Sequence, residues 1–339
     1  MTTGQIFLFS FNAVMPIVLL ILLGYVLKRI TLFNDNFVST ANKFVFNVAL
    51  PVLLFFNVYN IKDFGEIEWS TVIFAVTVIL LLFAAGLIYC IFFVKDNRQK
   101  GVVWQSFFRS NFAIIGIPLA EAIGGTQGVV TASILSAFSI PLFNALAVVA
   151  LSAFTGDKNR ISVKDILRKV IKNPLIRGVF FGFVVLGIRH FIPVDASGTA
   201  AFTVKNNLPF IYEFIEMLAG IASPLALVVL GGQFRFDAVR NLKGQIAAGV
   251  IARVVFAPVC GILLAVGASA VSDYFSFTPA HYASFMALFG SPAAVSSAIM
   301  ATQMDNDSQL ANQILVWTSV FSVLTVFIFV SALKYFTVI

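Results

Sequence analysis

The sequence predicts an all-α polytopic membrane protein of ten transmembrane helices, arranged as two inverted five-helix repeats in which helices 4 and 9 are broken. Three observations carry that prediction. They are long apolar runs without charge, an uneven placement of basic residues between alternate loops, and prolines that recur in matched order in the two halves.

The apolar runs come first. Of the 339 residues, 60% are hydrophobic and 11% are charged, whereas a soluble domain carries about 25% charged residues. Trp69 to Val94 contains no charge, and neither does Ser308 to Ala332. About 20 apolar residues cross a hydrocarbon core of roughly 30 Å, so both runs are long enough to span. Ile6 to Leu27 reads as a first span and not as a leader, because no basic residue precedes it while Lys28 and Arg29 follow it. Cys90 and Cys260 lie inside apolar runs with no metal or redox spacing, and read as small core residues.

Hydropathy and breaker residues place spans near 6–28, 38–59, 69–94, 103–126, 129–154, 174–192, 208–233, 244–268, 280–304 and 309–336. With this division, 16 of the 22 Lys and Arg fall on one side and four on the other; Arg109 and Arg253 lie within spans. A missed or extra span would scramble that bias. The positive-inside rule then puts both termini on the extracellular (periplasmic) face of a cell membrane and the basic 155–173 segment in the cytoplasm. Basic residues confined to short loops orient a membrane protein, so the net charge of +7 does not point to nucleic acid.

The repeat is the third observation. Span 1 contains MPIVLLILLG and span 6 NPLIRGVFFG, with the same step from Pro16 to Gly24 as from Pro174 to Gly182. Pro51 in span 2 matches Pro224 in span 7, and Gly116-Ile117-Pro118 in span 4 matches Gly290-Ser291-Pro292 in span 9. Pro51 and Pro118 are 67 residues apart, Pro224 and Pro292 68. Five spans per half is an odd number, so the second half enters the membrane inverted, as in many secondary transporters. The chain divides into a first repeat (1–154), a basic linker (155–173) and a second repeat (174–339).

Spans 4 and 9 are where a site is expected. A proline inside a helix removes one hydrogen bond and clashes with the preceding turn, and unpaired backbone at membrane depth persists only where protein buries it or where it lines a cavity. Breaks at Gly116-Pro118 and Ser291-Pro292 place two half-helix amino-terminal ends on a shared site, each with free N–H groups and about half a positive charge, a setting for an anion. Arg109, nine residues before Pro118, either holds an anionic substrate near the inner opening or snorkels to the interface. Arg253, nearer the midplane in span 8, pairs with a carboxylate, contacts substrate or bridges helices, with a structural role favoured. Glu121 is the acidic residue deep in span 4, and reads either as a proton-coupling carboxylate or as a salt-bridge or outer-mouth residue. Asn111, Asn144, Gln233, Ser291, Ser296 and Ser297 are neutral polar residues within spans, the last two close behind Pro292. The case for Asn47 and Asn57 is weaker. His190 and His281 are too far apart in sequence to suggest a metal site.

No Gly-rich phosphate loop, nucleophile-base arrangement or paired carboxylates stand in the sequence, and the loops are too short for a nucleotide domain. That argues against an ATP-driven pump and against an enzyme, and no cofactor is expected.

The segments RSNFAIIGIPLAEAIGG, LPVLLFF, SPLALVVLGG and SPAAVSSAIMATQ, in that order across essentially the whole chain, resemble the auxin efflux carrier family of plant PIN transporters and bacterial malate-permease-like carriers. The resemblance implies broken helices 4 and 9 crossing at a substrate site, a scaffold or dimerisation part (hence a homodimer), and a transport part moving as an elevator. It implies secondary active transport of a small organic anion, such as malate or an auxin-like acid. Pro118 and Pro292 correspond to the crossover prolines, and Asn111 with Gly116 match the pattern before the first break. Leu119 stands where plant members have an auxin-contacting asparagine, which speaks against auxin itself. Coupling to protons or sodium is left open. The alternatives are a sodium-coupled carrier of the bile acid symporter type, and a membrane sensor that binds a ligand without moving it.

Overall fold

Backbone amides inside a bilayer find no water, so a spanning chain must satisfy them within helices or a closed barrel. The computed structural model describes residues 3–61, 67–155, 168, 171–172, 174–193, 202–233 and 242–339; the basic 155–173 segment lies largely outside them. Within the described residues the solution is helical throughout, and the one β-type contact is an isolated bridge between Ser110 and Ala293.

Among the described residues, the helices of nine residues or more are α1 (Thr3–Arg29), α2 (Asp35–Tyr59), α3 (Trp69–Phe93), α4 (Asn97–Phe108), α5 (Phe112–Ser152), α6 (Pro174–His190), α7 (Pro209–Gly232), α8 (Lys243–Val271), α9 (Pro279–Gly290), α10 (Val295–Gln303) and α11 (Ser308–Tyr335). Six of them, α2, α3, α5, α7, α8 and α11, are long and apolar enough to cross a membrane. The pieces α4, α9 and α10 have 12, 12 and 9 residues, too short to cross alone. α5 turns sharply at Gly125, whose φ of 60° is open to glycine and strained for other residues. Apolar side chains left outside, such as Leu80, Ile88 and Phe92 on α3 or Phe180 and Phe181 on α6, suit contact with lipid.

The helices pack in two groups, which are joined through α1 against α11 and α5. In one, α1 lies along the second half of α7 and the second half of α2 lies along α6. Arg189 at the end of α6 donates to the Tyr59 carbonyl at the end of α2 (2.5 Å). In the other, α3, α4, α5, α8, α9, α10 and α11 pack on one another, with α5 against α9 the most extensive contact. Lipid gives helices no hydrophobic reason to associate, so close backbone approach through small residues takes its place. A Cβ on Gly24 of α1 would fall 1.8 Å from the Val228 carbonyl oxygen, and one on Gly231 of α7 1.8 Å from that of Ile21. Backbone cannot yield as a side-chain tip can. Gly24→Leu is therefore expected to push α1 off α7 and cost roughly 1–3 kcal/mol or more, seen as a lower unfolding midpoint and less monodisperse protein in detergent. Gly187→Leu, at a position with nothing within 4 Å, should leave both unchanged.

One expectation is corrected by the backbone. Pro118 does not break its helix. Residues Phe112–Gly116 form a π turn in which the Ile117 N–H donates to the Phe112 carbonyl, and the α-helix resumes at Ile117 with Pro118 in its first turn. Widening the preceding turn moves the carbonyl that the proline ring would otherwise strike. The same device precedes Pro51 (π turn Val45–Ala49) and Pro258 (π turn Ala252–Phe256). The interruption in this rod lies earlier, at Arg109 to Asn111, between α4 and α5. In the other rod it lies at Ser291 to Ala294, where Ser291 is extended (φ −64°, ψ 146°), as the residue before a proline tends to be.

Candidate functional site

The two interruptions meet. The Asn111 N–H donates to the Pro292 carbonyl (2.8 Å), and Ser110 faces Ala293 in the antiparallel bridge. The Ala293 N–H donates to Thr318 Oγ1 on α11 (3.2 Å), and Ser291 Oγ donates to the Ala287 carbonyl at the end of α9 (2.6 Å). Backbone groups released by the breaks are thus taken up by each other and by hydroxyls, as burial away from water requires.

Arg109 sits at the end of α4, extended (φ −94°, ψ 105°) and 2% exposed. That burial removes the snorkelling reading. Its Nη1 donates to Gln105 Oε1 (2.7 Å) and Met300 Sδ (3.1 Å), and its Nη2 to Asn144 Oδ1 (2.7 Å) and Ser296 Oγ (2.9 Å). Asn144 on α5 is oriented for this by donating its own Nδ2 to the Ile140 carbonyl (3.0 Å). All four acceptors are neutral, and among the described residues no carboxylate lies within ion-pair distance of the guanidinium. A buried cation costs several kcal/mol unless it is paired. Ser296 is moreover in the first turn of α10, the positive end of that helix's dipole. A guanidinium at a positive helix end, with no carboxylate beside it among the described residues, makes this spot strongly electropositive.

A cavity of about 40 Å³ opens beside it. One wall comes from the first group, with Asn42 and Phe46 of α2, Leu175 of α6 and Ala226 of α7; the other comes from the interrupted rods and from Ile140 and Asn144 of α5. The first-turn residues Phe112, Ala113 and Ile114 of α5, and Val295 and Ser296 of α10, border it. Asn111 also lines it, 3% exposed, with an Nδ2 that has no hydrogen-bond partner.

Of the residues singled out from sequence, Arg109, Asn111, Asn144 and Ser296 therefore converge on one cavity, and Pro292 contributes the carbonyl that ties the breaks. The rest lie elsewhere. Gly116 packs against α9, where an added Cβ would come 3.1 Å from the Ala287 carbonyl oxygen. Pro118 is one turn further along α5, and Leu119 lines a separate small pocket against α1 and α11. Ser291 caps α9. Ser297 borders another small pocket with Gln105, its hydroxyl buried without a partner. Gln233 ends α7 outside the cavity lining. Glu121 is exposed, one turn before the bend at Gly125. Arg253 is fully buried in the π turn of α8 and donates from Nη2 to the Phe289 carbonyl in the last turn of α9. Its Nε and Nη1 are buried without a hydrogen-bond partner. Gln105, Met300, Asn42 and Thr318 were not singled out from sequence; isolated polar residues on a helix carry no mark of what they will face.

A bundle of apolar helices, six of them long enough to cross a bilayer among the described residues, fits a multi-pass membrane protein. The chain belongs to the membrane transport protein family, the auxin efflux carrier family, whose profile matches residues 9–330. It is similar to an uncharacterized transporter of Methanothermobacter thermautotrophicus, 24% identical over 329 residues that cover 95% of this chain and 97% of that one. It is likewise 24% identical over 322 residues to a Rhizobium meliloti protein named "Putative malonate transporter", with 92% of each chain covered. The chain is thus a membrane transporter.

Proposed function

We propose that this transporter is a secondary carrier of small carboxylates, with malonate-like dicarboxylates as its preferred cargo, held at Arg109 between the two helix breaks. The observation that carries the reading is the buried guanidinium surrounded by neutral acceptors. Its full charge, with about half a charge from each of the first turns of α5 and α10, amounts to about two positive charges, which suits a dianion. The name of the Rhizobium meliloti relative agrees with that class.

The mechanism is alternating access. Read with the breaks joined, α4 with the start of α5 and α9 with α10 each make one crossing, and α5 beyond the turn at Gly125 makes one more. Ten crossings follow, five before and five after the basic segment, the second five inverted. The two interrupted rods are then the crossover helices of the two repeats. The cavity lies between the two helical groups, so sliding of one group past the other, an elevator motion, would carry the site from face to face. A cavity of 40 Å³ admits only a few waters, and even the smallest dicarboxylate needs the groups to separate.

Proteoliposomes holding the purified protein should take up labelled malonate or malate in competition with other small dicarboxylates, and less with amines or sugars. Failure to move any carboxylate rejects the reading. Asn144→Leu, which keeps the shape but removes an acceptor that aims Arg109, is expected to weaken apparent affinity by about 1–3 kcal/mol, or roughly fivefold to 150-fold.

A further inference from the structure

A second cavity, of about 270 Å³, lies at the opposite end of α9 from the helix break. Its polar residues are Glu68, just before α3; Thr71, in the first turn of α3; Gln127 and Thr131, following the Gly125 bend of α5; and His281, in the first turn of α9. The remainder of the lining is aliphatic. Its charge is the reverse of the Arg109 cavity. It holds a carboxylate, and no lysine or arginine is among its lining residues.

The hydrogen bonds define how that carboxylate is presented. The Thr278 N–H donates to His281 Nδ1 (3.1 Å), so the ring carries its proton on Nε2, which lies 2.9 Å from Glu68 Oε2. A neutral imidazole thus anchors one oxygen of Glu68 and leaves Oε1 for another partner. Thr71 is 2% exposed and its hydroxyl has no hydrogen-bond partner. A buried hydroxyl left unmatched beside a cavity of this size calls for an occupant.

We infer that this cavity binds a hydrated alkali-metal cation, with Glu68 as the charged ligand and the oxygens of Thr71, Thr131 and Gln127 as neutral partners. Carboxylate, hydroxyl and amide oxygens are hard donors suited to such an ion. The single carboxylate is too little charge for tight binding of calcium, whose sites gather several. Among the described residues no group of three His, Cys, Asp or Glu is placed to hold a metal ion. The volume accommodates the ion with part of its hydration shell. The inference is independent of the cargo proposed for the Arg109 cavity, and its test uses no carboxylate.

Thermal unfolding of the purified full-length protein in detergent is measured with NaCl, KCl or choline chloride at one constant ionic strength. Expected is a saturable rise in midpoint with sodium or potassium that choline does not give; comparing the two salts identifies the ion. Glu68→Gln, at a side chain 62% exposed that should tolerate the change, is expected to raise the apparent Kd for the ion at least tenfold, and Thr71→Val to raise it less. Glu121→Gln, an exposed carboxylate outside the cavity, should keep the full response. No rise, an equal rise in choline, or a full response in Glu68→Gln overturns the proposal.

Discussion

Arg109→Gln is expected to abolish carboxylate uptake while leaving the folded protein about as stable as its parent. The two halves of that result have one cause. The guanidinium is a buried charge held by neutral oxygens and a thioether, and its lost hydration costs several kcal/mol. Replacing it forfeits hydrogen bonds worth about 1.5–3 kcal/mol each when one partner is charged, but also removes that cost. The two terms oppose each other, so the unfolding midpoint should shift little. By contrast, Leu54→Ala, at a fully buried core position, should cost about 2–5 kcal/mol.

For the anion there is no such cancellation. Removing one partner of a buried charge pair costs about 3–5 kcal/mol, and each 1.4 kcal/mol is tenfold, so uptake at limiting concentration should fall at least about a hundredfold. Malonate should raise the unfolding midpoint of the parent and not of the variant. Arg109→Lys keeps the charge without the planar fork that reaches Asn144 and Ser296 from one nitrogen, and should recover only part of the uptake. Transport at parental rates by Arg109→Gln would remove the basis of the carboxylate reading.

Much of this arrangement was legible in the sequence, because lipid imposes simple demands. Uncharged runs long enough to cross, such as Trp69 to Val94, become helices, and a charge inside a span, such as Arg109, needs a reason to be there. What the sequence concealed was local hydrogen-bond geometry. Gly116-Ile117-Pro118 reads as a breaker by composition, yet a π turn of five residues absorbs the proline, and the break falls at Arg109 to Asn111. Arg109 therefore stands at the break itself and not half a span away from it. Glu121 is the acidic residue within span 4, yet it lies only one turn before the bend at Gly125, near a helix end. Gln105 and Thr318 gave no signal, since their partners belong to other helices and a linear pattern does not record which faces converge.

Thr318 supports the second large prediction. It is fully buried on α11, its hydroxyl accepts the Ala293 N–H (3.2 Å), and it donates in turn to the Leu315 carbonyl (3.1 Å). Ala293 lies in the extended stretch between α9 and α10, where no helical turn can take its N–H. Thr318→Val changes almost no volume, so the effect isolates the hydrogen bond. The orphaned donor should cost about 1–3 kcal/mol, as a lower unfolding midpoint with insertion and yield preserved. The consequence for transport should be larger than that figure suggests, because Ala293 is paired with Ser110, next to Arg109. A shift of the stretch moves the first turn of α10, and with it Ser296, away from the guanidinium. Ser322→Ala offers the comparison. Its hydroxyl lies on the same helix and donates only to the Ser319 carbonyl within α11, so both stability and uptake should stay near parental values. Equal effects of the two substitutions would mean that α11 contributes packing alone, and that the extended stretch holds its shape without Thr318.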